Sequence, residues 1–233
     1  MAGPVPHRTD LRRNPRMAPT TELVIARHGE AACNVAGIVG GEQGCTGLTD
    51  LGRNQAELLA ARLAAEHAKQ PYVALYATPR LRVTQTAEII TQALHLPATI
   101  DLDLRGPDHG DADGRPWVDI KTSFQGPPQH SPDRQYASGS ETWNEYLYRA
   151  TAALQKILAG HEGERILIAA HGETVEAAHN LLLGLPRNAS LRLGFVTDHA
   201  SVARWQRPTN RFGRTIWQLV SHNDTRHLRP HHG

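Results

Sequence analysis

Two His-Gly pairs stand far apart in the chain, His28-Gly29 and His171-Gly172. Each directly follows a short apolar run, TELVIA at 21–26 and RILIAA at 165–170, that reads as a buried strand. Glycine after histidine lets the backbone turn sharply and approach a ligand. A helix start after such a turn offers free N–H groups to an anion. Arg27 precedes the first histidine. A third segment, Thr78-Pro79-Arg80-Leu81-Arg82, opens a helix after another strand and puts Arg82 in its first turns. Ligands of open parallel sheets lie beyond the carboxyl ends of the strands. Two imidazoles and two guanidiniums therefore converge on one pocket. Guanidinium forks match phosphate oxygens in bidentate fashion, so the pattern suits a phosphoryl group.

The elements that must position these residues alternate along the chain. Strands are expected at 21–26, 73–77, 98–102 and 165–170, and two late edge strands at 201–206 and 215–220. Helices are expected from Thr49 to about Glu66 with Leu51, Leu58, Leu59 and Leu63 inward, and from Thr78 to about Leu94 with Leu81, Ala87, Ile90 and Leu94 inward. Two more run from about Glu141 to Leu158 and from His171 to about Leu183, the last closed by Gly184 and Pro186. Residues 31–48 read as a loop. Residues 103–139 are rich in Gly, Pro and Asp and too long for a plain connection, which marks a functional lid or disorder. The fold class is α/β: a three-layer α/β/α arrangement with a mostly parallel sheet and an inserted lid. Residues 1–20 form a basic leader without core-forming pattern, 21–228 the domain and 229–233 a tail.

The 233 residues hold 39% hydrophobic side chains, enough for a core without staples. Lys and Arg number 25 against 23 Asp and Glu, too balanced for a general nucleic-acid binder. The excess sits in the leader, where Arg8, Arg12, Arg13 and Arg16 face only Asp10. Cys33 and Cys45 cannot complete a disulfide framework or a four-ligand zinc site, and two unpaired loop thiols are expected. No apolar run is long enough for a membrane span, and the leader lacks the apolar stretch of a signal peptide. A cytoplasmic protein is expected, without nucleic-acid or membrane partners. Its oligomeric state is not legible.

Four motifs in order resemble one family. Arg27-His28-Gly29-Glu30, followed by Asn34, Gly40 and Leu48-Thr49-x-x-Gly52, is similar to the opening signature of the histidine phosphatase superfamily, also called phosphoglycerate mutase-like. Thr78-Pro79-x-x-Arg82-x-x-Gln85-Thr86-Ala87 resembles its second arginine motif, Gly139-Ser140-Glu141-Thr142 its Gly-Glu-Ser segment, and His171-Gly172 its second histidine motif. Asn223-Asp224-Thr225-x-His227-Leu228 is similar to a tail of some phosphatase members, so the likeness runs from about 22 to 228. The resemblance implies that His28 is the nucleophile and becomes a phosphohistidine. It implies that Arg27, Arg82 and His171 hold the phosphoryl group, with Asn34, Gly172 and Glu30 binding the substrate. Two fixed guanidiniums and a second imidazole can clamp the spreading charge of phosphoryl transfer, so no metal and no cofactor is expected. His28 must attack as neutral imidazole while His171 is most useful protonated, so neighbouring charge is expected to push the two pKa values apart.

The chain departs from the family at one position. The family's acidic Glu stands four residues before the glycine matching Gly110 and eight before the one matching Gly114, and both counts land on Gly106. General acid help to an alkoxide leaving group is worth roughly 10²–10⁴-fold. Asp108 is the first expected substitute and Glu173 the second, with Asp103, Asp111 and Asp113 in reach of a flexible lid. Three functions fit: a metal-independent phosphatase of a small phosphomonoester, a phosphoglycerate-type mutase, and a phosphate-binding module without turnover. The intact His28, Arg82 and His171 argue against the third, and mutases of the family usually have a longer lid and the Glu missing here, which favours the first. Trp117, Trp143 and Tyr146 are expected to pack rather than bind, and His227, His231 and His232 to be solvated rather than metal ligands.

Overall fold

A computed structural model describes residues 20–186, 193–210 and 212–229. The leader up to residue 19, and His231 and His232 of the tail, lie outside them. The sheet has six strands: β1 (Thr21–Arg27), β2 (Ala74–Ala77), β3 (Ala98–Ile100), β4 (Arg165–Ala170), β5 (Val202–Arg207) and β6 (Gln218–Asp224). Their order is β3-β2-β4-β1-β5-β6. The first four run parallel, and β5 joins β1 antiparallel with β6 outside it. The helices are α1 (Ala32–Val35), α2 (Asp50–Lys69), α3 (Leu81–Leu94), α4 (Trp117–Phe124), α5 (Trp143–Gly160) and α6 (Gly172–Leu182). This is the expected α/β fold with a mostly parallel sheet.

The central strands read as unbroken apolar runs because both faces are covered. Leu23, Ile25, Ile166 and Ile168 pack under α5 and α6. Val24, Ala26, Leu167 and Ala169 point the other way, against α2 and α3. Leu51 and Leu58 do not join that core: they are exposed, and α2 turns Gly52, Ala56, Leu59, Ala60 and Leu63 inward. Small residues there let the helix lie close to the sheet, which leucine counting misses. On α3, Leu81 is exposed and Arg82 is buried instead.

Residues 103–139 are ordered. They contain α4 and pack a small core of their own, Val39, Ala112 and Ile120, against the loop after α1. The Asp113 carboxylate accepts from the N–H groups of Gly41, Gln43 and Gly44 at 2.8, 2.8 and 3.0 Å. That ties the segment to the loop.

At the amino end of the sheet, remote from the histidines, an ionic cluster fixes the register. Glu22 pairs with Arg165, its neighbour across the β1–β4 ladder, and with Arg204 of β5. Glu66 of α2 takes the other ends of both guanidiniums at 3.0 and 2.6 Å. A one-residue slip would strand these buried charges. No helix among the described residues is long and apolar enough to cross a membrane. Glu22→Ala removes one partner of a buried pair and should cost ~3–5 kcal/mol of unfolding free energy. A urea midpoint shift worth less than ~1 kcal/mol would show that the cluster does not hold the ladder.

Candidate active site

β1 and β4 are adjacent and parallel, with Arg27 opposite Ala170. The next residue of each strand is His28 and His171, so the register alone sets the two imidazoles side by side. Their ring centroids are 5.6 Å apart at 71°. β2 lies on the other side of β4 and ends at Ala77, which aims Thr78 and the start of α3 at the same point.

The Arg82 guanidinium joins the two rings. Its Nε–H donates to His28 Nε2 at 3.0 Å, its Nη2 to His171 Nδ1 at 3.2 Å and its Nη1 to the Gly40 carbonyl at 2.7 Å. A guanidinium only donates, so both ring nitrogens accept. The tautomers follow. His28 carries its proton on Nδ1, which donates to the Gly29 carbonyl at 2.6 Å. His171 carries its proton on Nε2, which donates to Thr78 Oγ1 at 2.9 Å. Gly40 must be glycine, because a Cβ there would stand 2.6 Å from Cys33 Sγ and 3.0 Å from Arg82 Nη1. Cys33 and Cys45 are free and buried, as expected of loop thiols.

Burial and then the Arg82 charge push both imidazoles well below their ordinary pKa. The expectation that the two values separate is therefore corrected: Arg82 touches both rings and moves them the same way. Each is neutral at pH 7, including His171.

Arg27 is largely buried, with Nη1 on the Thr197 carbonyl and Nε without a partner among the described residues. Gly172, the first residue of α6, lies against it: an added Cβ would be 3.8 Å from Arg27 Nε. Arg80 stands two residues before Arg82. It is 3% exposed, donates to the Pro107 carbonyl at 2.8 Å and leaves its Nε unpartnered among the described residues. Three guanidiniums thus surround the imidazoles. Among the described residues, only Arg80 of the three has a carboxylate at ion-pair distance, Glu42 at 3.9 Å. Uncompensated buried cations of this kind suit a dianion.

A cavity of about 310 Å³ meets the cluster at Arg27 and Asn34. Its other walls include Trp117, Lys121, Pro127, Tyr136 and Trp143, with His109, Glu141 and Glu173 as titratable groups. Trp117 and Trp143, expected only to pack, line it. Tyr146 does pack, being fully buried. Asn34 Oδ1 accepts from the Ala31 N–H and stands 3.2 Å from His199 Nε2. His199 is itself 5.8 Å from the His28 ring. Neither His109 nor His199 carries a sequence signal, since no neighbouring pattern marks them.

Two expected residues are not brought in. Glu30 takes the Thr49 hydroxyl at 2.8 Å and pins the start of α2, and it does not line the cavity. Asp108 is forked by Arg105 at 3.2 and 2.7 Å. That hydrogen bonding holds its carboxyl below the usual range, so it is no proton donor near neutral pH. Asp113 is fixed by its three N–H groups, and Asp103 and Asp111 are not in the cavity wall. Gly106 stands where the sequence placed it: a Cβ there would lie 3.5 Å from His171 Cδ2, an ordinary contact.

A sequence-family model described as histidine phosphatase superfamily, branch 1, matches residues 23–225. The chain belongs to that superfamily. It is 31% identical over 210 residues to the uncharacterized phosphatase PhoE of Bacillus subtilis, covering 89% of this chain and 97% of that one. It is 30% identical over 166 residues to the metal-independent phosphoserine phosphatase of Arabidopsis thaliana, covering 68% and 67%. The solved structure of Bacillus stearothermophilus YhfR overlays with a TM-score of 0.72 at 27% identity, covering 90% of this chain and all of that one. The superfamily match takes in Arg27, His28, Arg82 and His171.

Arg82 depresses both rings, so Arg82→Gln should raise both pKa values. His28 then gains its inactivating proton at higher pH, and the acid limb of the pH profile moves up. Imidazole titration by NMR in the variant checks this; rings that titrate as before would separate their tautomers from Arg82.

Proposed function

We propose that the chain hydrolyses small phosphomonoesters through a phosphohistidine on His28, without a metal ion. The observation that carries this reading is the fixed tautomer of His28. Its Nδ1–H is bound to the Gly29 carbonyl, so the lone pair resides on Nε2, which accepts from Arg82. A neutral imidazole whose lone pair is covered only by Arg82 becomes a nucleophile once an anion draws that guanidinium away.

The arriving phosphoryl oxygens compete for Arg82. Its Nε bond to His28 Nε2 is the one that must be given up, and giving it up exposes the lone pair. Arg27 Nε and Arg80 Nε, buried without partners among the described residues, supply two further donors. His171 then has Nδ1 released and can bind an oxygen if it takes up a proton. Charge spread over three equatorial oxygens is thus met by fixed donors, the main demand of phosphoryl transfer. The leaving group lies in the adjoining cavity, whose volume suits a small metabolite rather than a folded partner.

Support also comes from the relatives that are named as phosphatases. A mutase must return the phosphoryl group to its substrate instead of passing it to water, and product analysis separates the two. His28→Ala should abolish release of phosphate from para-nitrophenyl phosphate, and EDTA should leave the rate of the unsubstituted chain unchanged. The acid-labile, base-stable phosphoryl label expected of phosphohistidine should appear on the intact chain and vanish in the variant. Turnover surviving in His28→Ala would remove His28 as nucleophile, and loss on chelation would point to a bound metal.

A further inference from the structure

An alkoxide leaving group needs a proton, and the position above His171 is a glycine. The carboxylates nearest to it are all engaged. Asp108 is forked by Arg105, and Glu141 by Arg149 at 2.8 and 2.5 Å. Asp113 is consumed by three backbone N–H groups. Of the imidazoles and carboxylates that line the cavity, His109 and Glu173 remain without an ion-pair partner among the described residues. Glu173 stands in the first turn of α6, and its charge offsets part of the burial of the Arg27 guanidinium. His109 is three residues after Gly106 on the same loop, 7% exposed, and its charge reaches His171.

We infer that His109, held by Tyr136, is the proton donor to the leaving oxygen and replaces the acid missing at Gly106; this rests on the phosphatase reading above. His109 Nδ1 lies 2.6 Å from Tyr136 Oη, and its ring stands edge-on to Trp117 with centroids 5.7 Å apart. Burial holds the Tyr136 proton on its oxygen well above the ordinary value. The hydroxyl therefore donates to Nδ1 of the neutral ring, and it can turn to accept from the charged one. Nε2 has no hydrogen bond among the described residues, which leaves it as the nitrogen that faces a ligand.

The charges facing His109 are Arg80 and Arg82, which with burial push it down to about 4, and Glu173 and Asp113, which push it up. A phosphate dianion bound between Arg27, Arg80 and Arg82 cancels the two depressing charges. His109 then takes a proton from solvent and becomes the imidazolium that the reaction needs. In the first step His28 Nε2 bonds to phosphorus, the ester P–O bond breaks and the oxygen takes the His109 proton. In the second step water attacks phosphorus, its proton returns to His109, and the P–N bond breaks to free His28 and phosphate. The histidine thus ends each cycle as it began.

The test is leaving-group dependence of kcat/KM, since a nitrophenolate leaves without a proton and an alkoxide does not. In His109→Gln, hydrolysis of glycerol 2-phosphate should fall by about 10²-fold and that of para-nitrophenyl phosphate by less than about 10-fold. Across substituted phenyl phosphates the dependence on leaving-group pKa should steepen. Gly106→Glu added to His109→Gln, for which the backbone leaves room, should restore at least about 10-fold of the alkyl ester rate. Tyr136→Phe should show the same selectivity more weakly, and it carries the comparison should the first variant not fold. Equal losses on both substrates would make His109 structural and overturn the assignment. A selective loss in Glu173→Gln, with none in His109→Gln, would give the role to Glu173. If the unsubstituted chain turns over neither ester, the phosphatase reading fails, and this assignment with it.

Discussion

One guanidinium organises the site. Arg82 donates to an imidazole nitrogen on each of two strands and to the Gly40 carbonyl of the loop that closes over them. Because a guanidinium has no acceptor, these bonds decide which nitrogen of each ring is bare. The proton of His28 is thereby forced toward Gly29 and that of His171 toward Thr78. Everything chemical in the pocket is downstream of this. The bare nitrogen of His28 is also the one that Arg82 covers, so on the proposed reading an anion that competes for Arg82 uncovers the nucleophile that attacks it.

Such an arrangement is costly in isolation. Arg80 is almost completely buried with one distant carboxylate, and Arg27 has a buried donor unused among the described residues. Burial lowers both guanidiniums below their ordinary pKa, and burial together with the positive field keeps both imidazoles neutral. Stability is supplied elsewhere. The central strands bury unbroken apolar faces on both sides, and Glu22, Glu66, Arg165 and Arg204 neutralise one another at the far end of the same strands. The sheet thus carries balanced charge at one end and unbalanced charge at the other. The unbalanced end is where a dianion is worth most.

The fold was legible because two strands buried on both faces must be written as apolar runs, and both end in the same dipeptide. Strand order and register come from the structure, where β1 lies beside β4 and sets His28 next to His171. Helix faces were less legible. α2 packs through Gly52, Ala56 and Ala60, so counting leucines selected Leu51 and Leu58, which are exposed. Among site residues, Arg27, His28, Arg82, His171 and Asn34 are where the motifs put them. Glu30 and Asp108 are not, because proximity in sequence says nothing of a local partner: the Thr49 hydroxyl takes the first and Arg105 the second. Arg80 was hidden by its place two residues before Arg82, and His109 and His199 by the absence of any pattern around them.

The parts of the pocket differ in how they are held, and that difference divides their work. The phosphate end is built from strand ends and a helix start, where hydrogen bonds within about 3 Å fix each group to the sheet. The leaving-group end of the proposed site is built from residues 103–139 and α6, joined to the rest through Asp113 and Arg149. Replacing the expected carboxylate by Gly106 leaves the first end intact, since an added side chain there would only graze His171. A proton donor is a property of the second end, and any group that reaches the ester oxygen from that wall can serve. Positioning of phosphorus tolerates little displacement, whereas a proton can be delivered from several directions around the same oxygen. The imidazole cluster is therefore the constrained half of the site, and the wall that carries His109, Tyr136 and Glu173 is the half in which one chemical group can stand in for another.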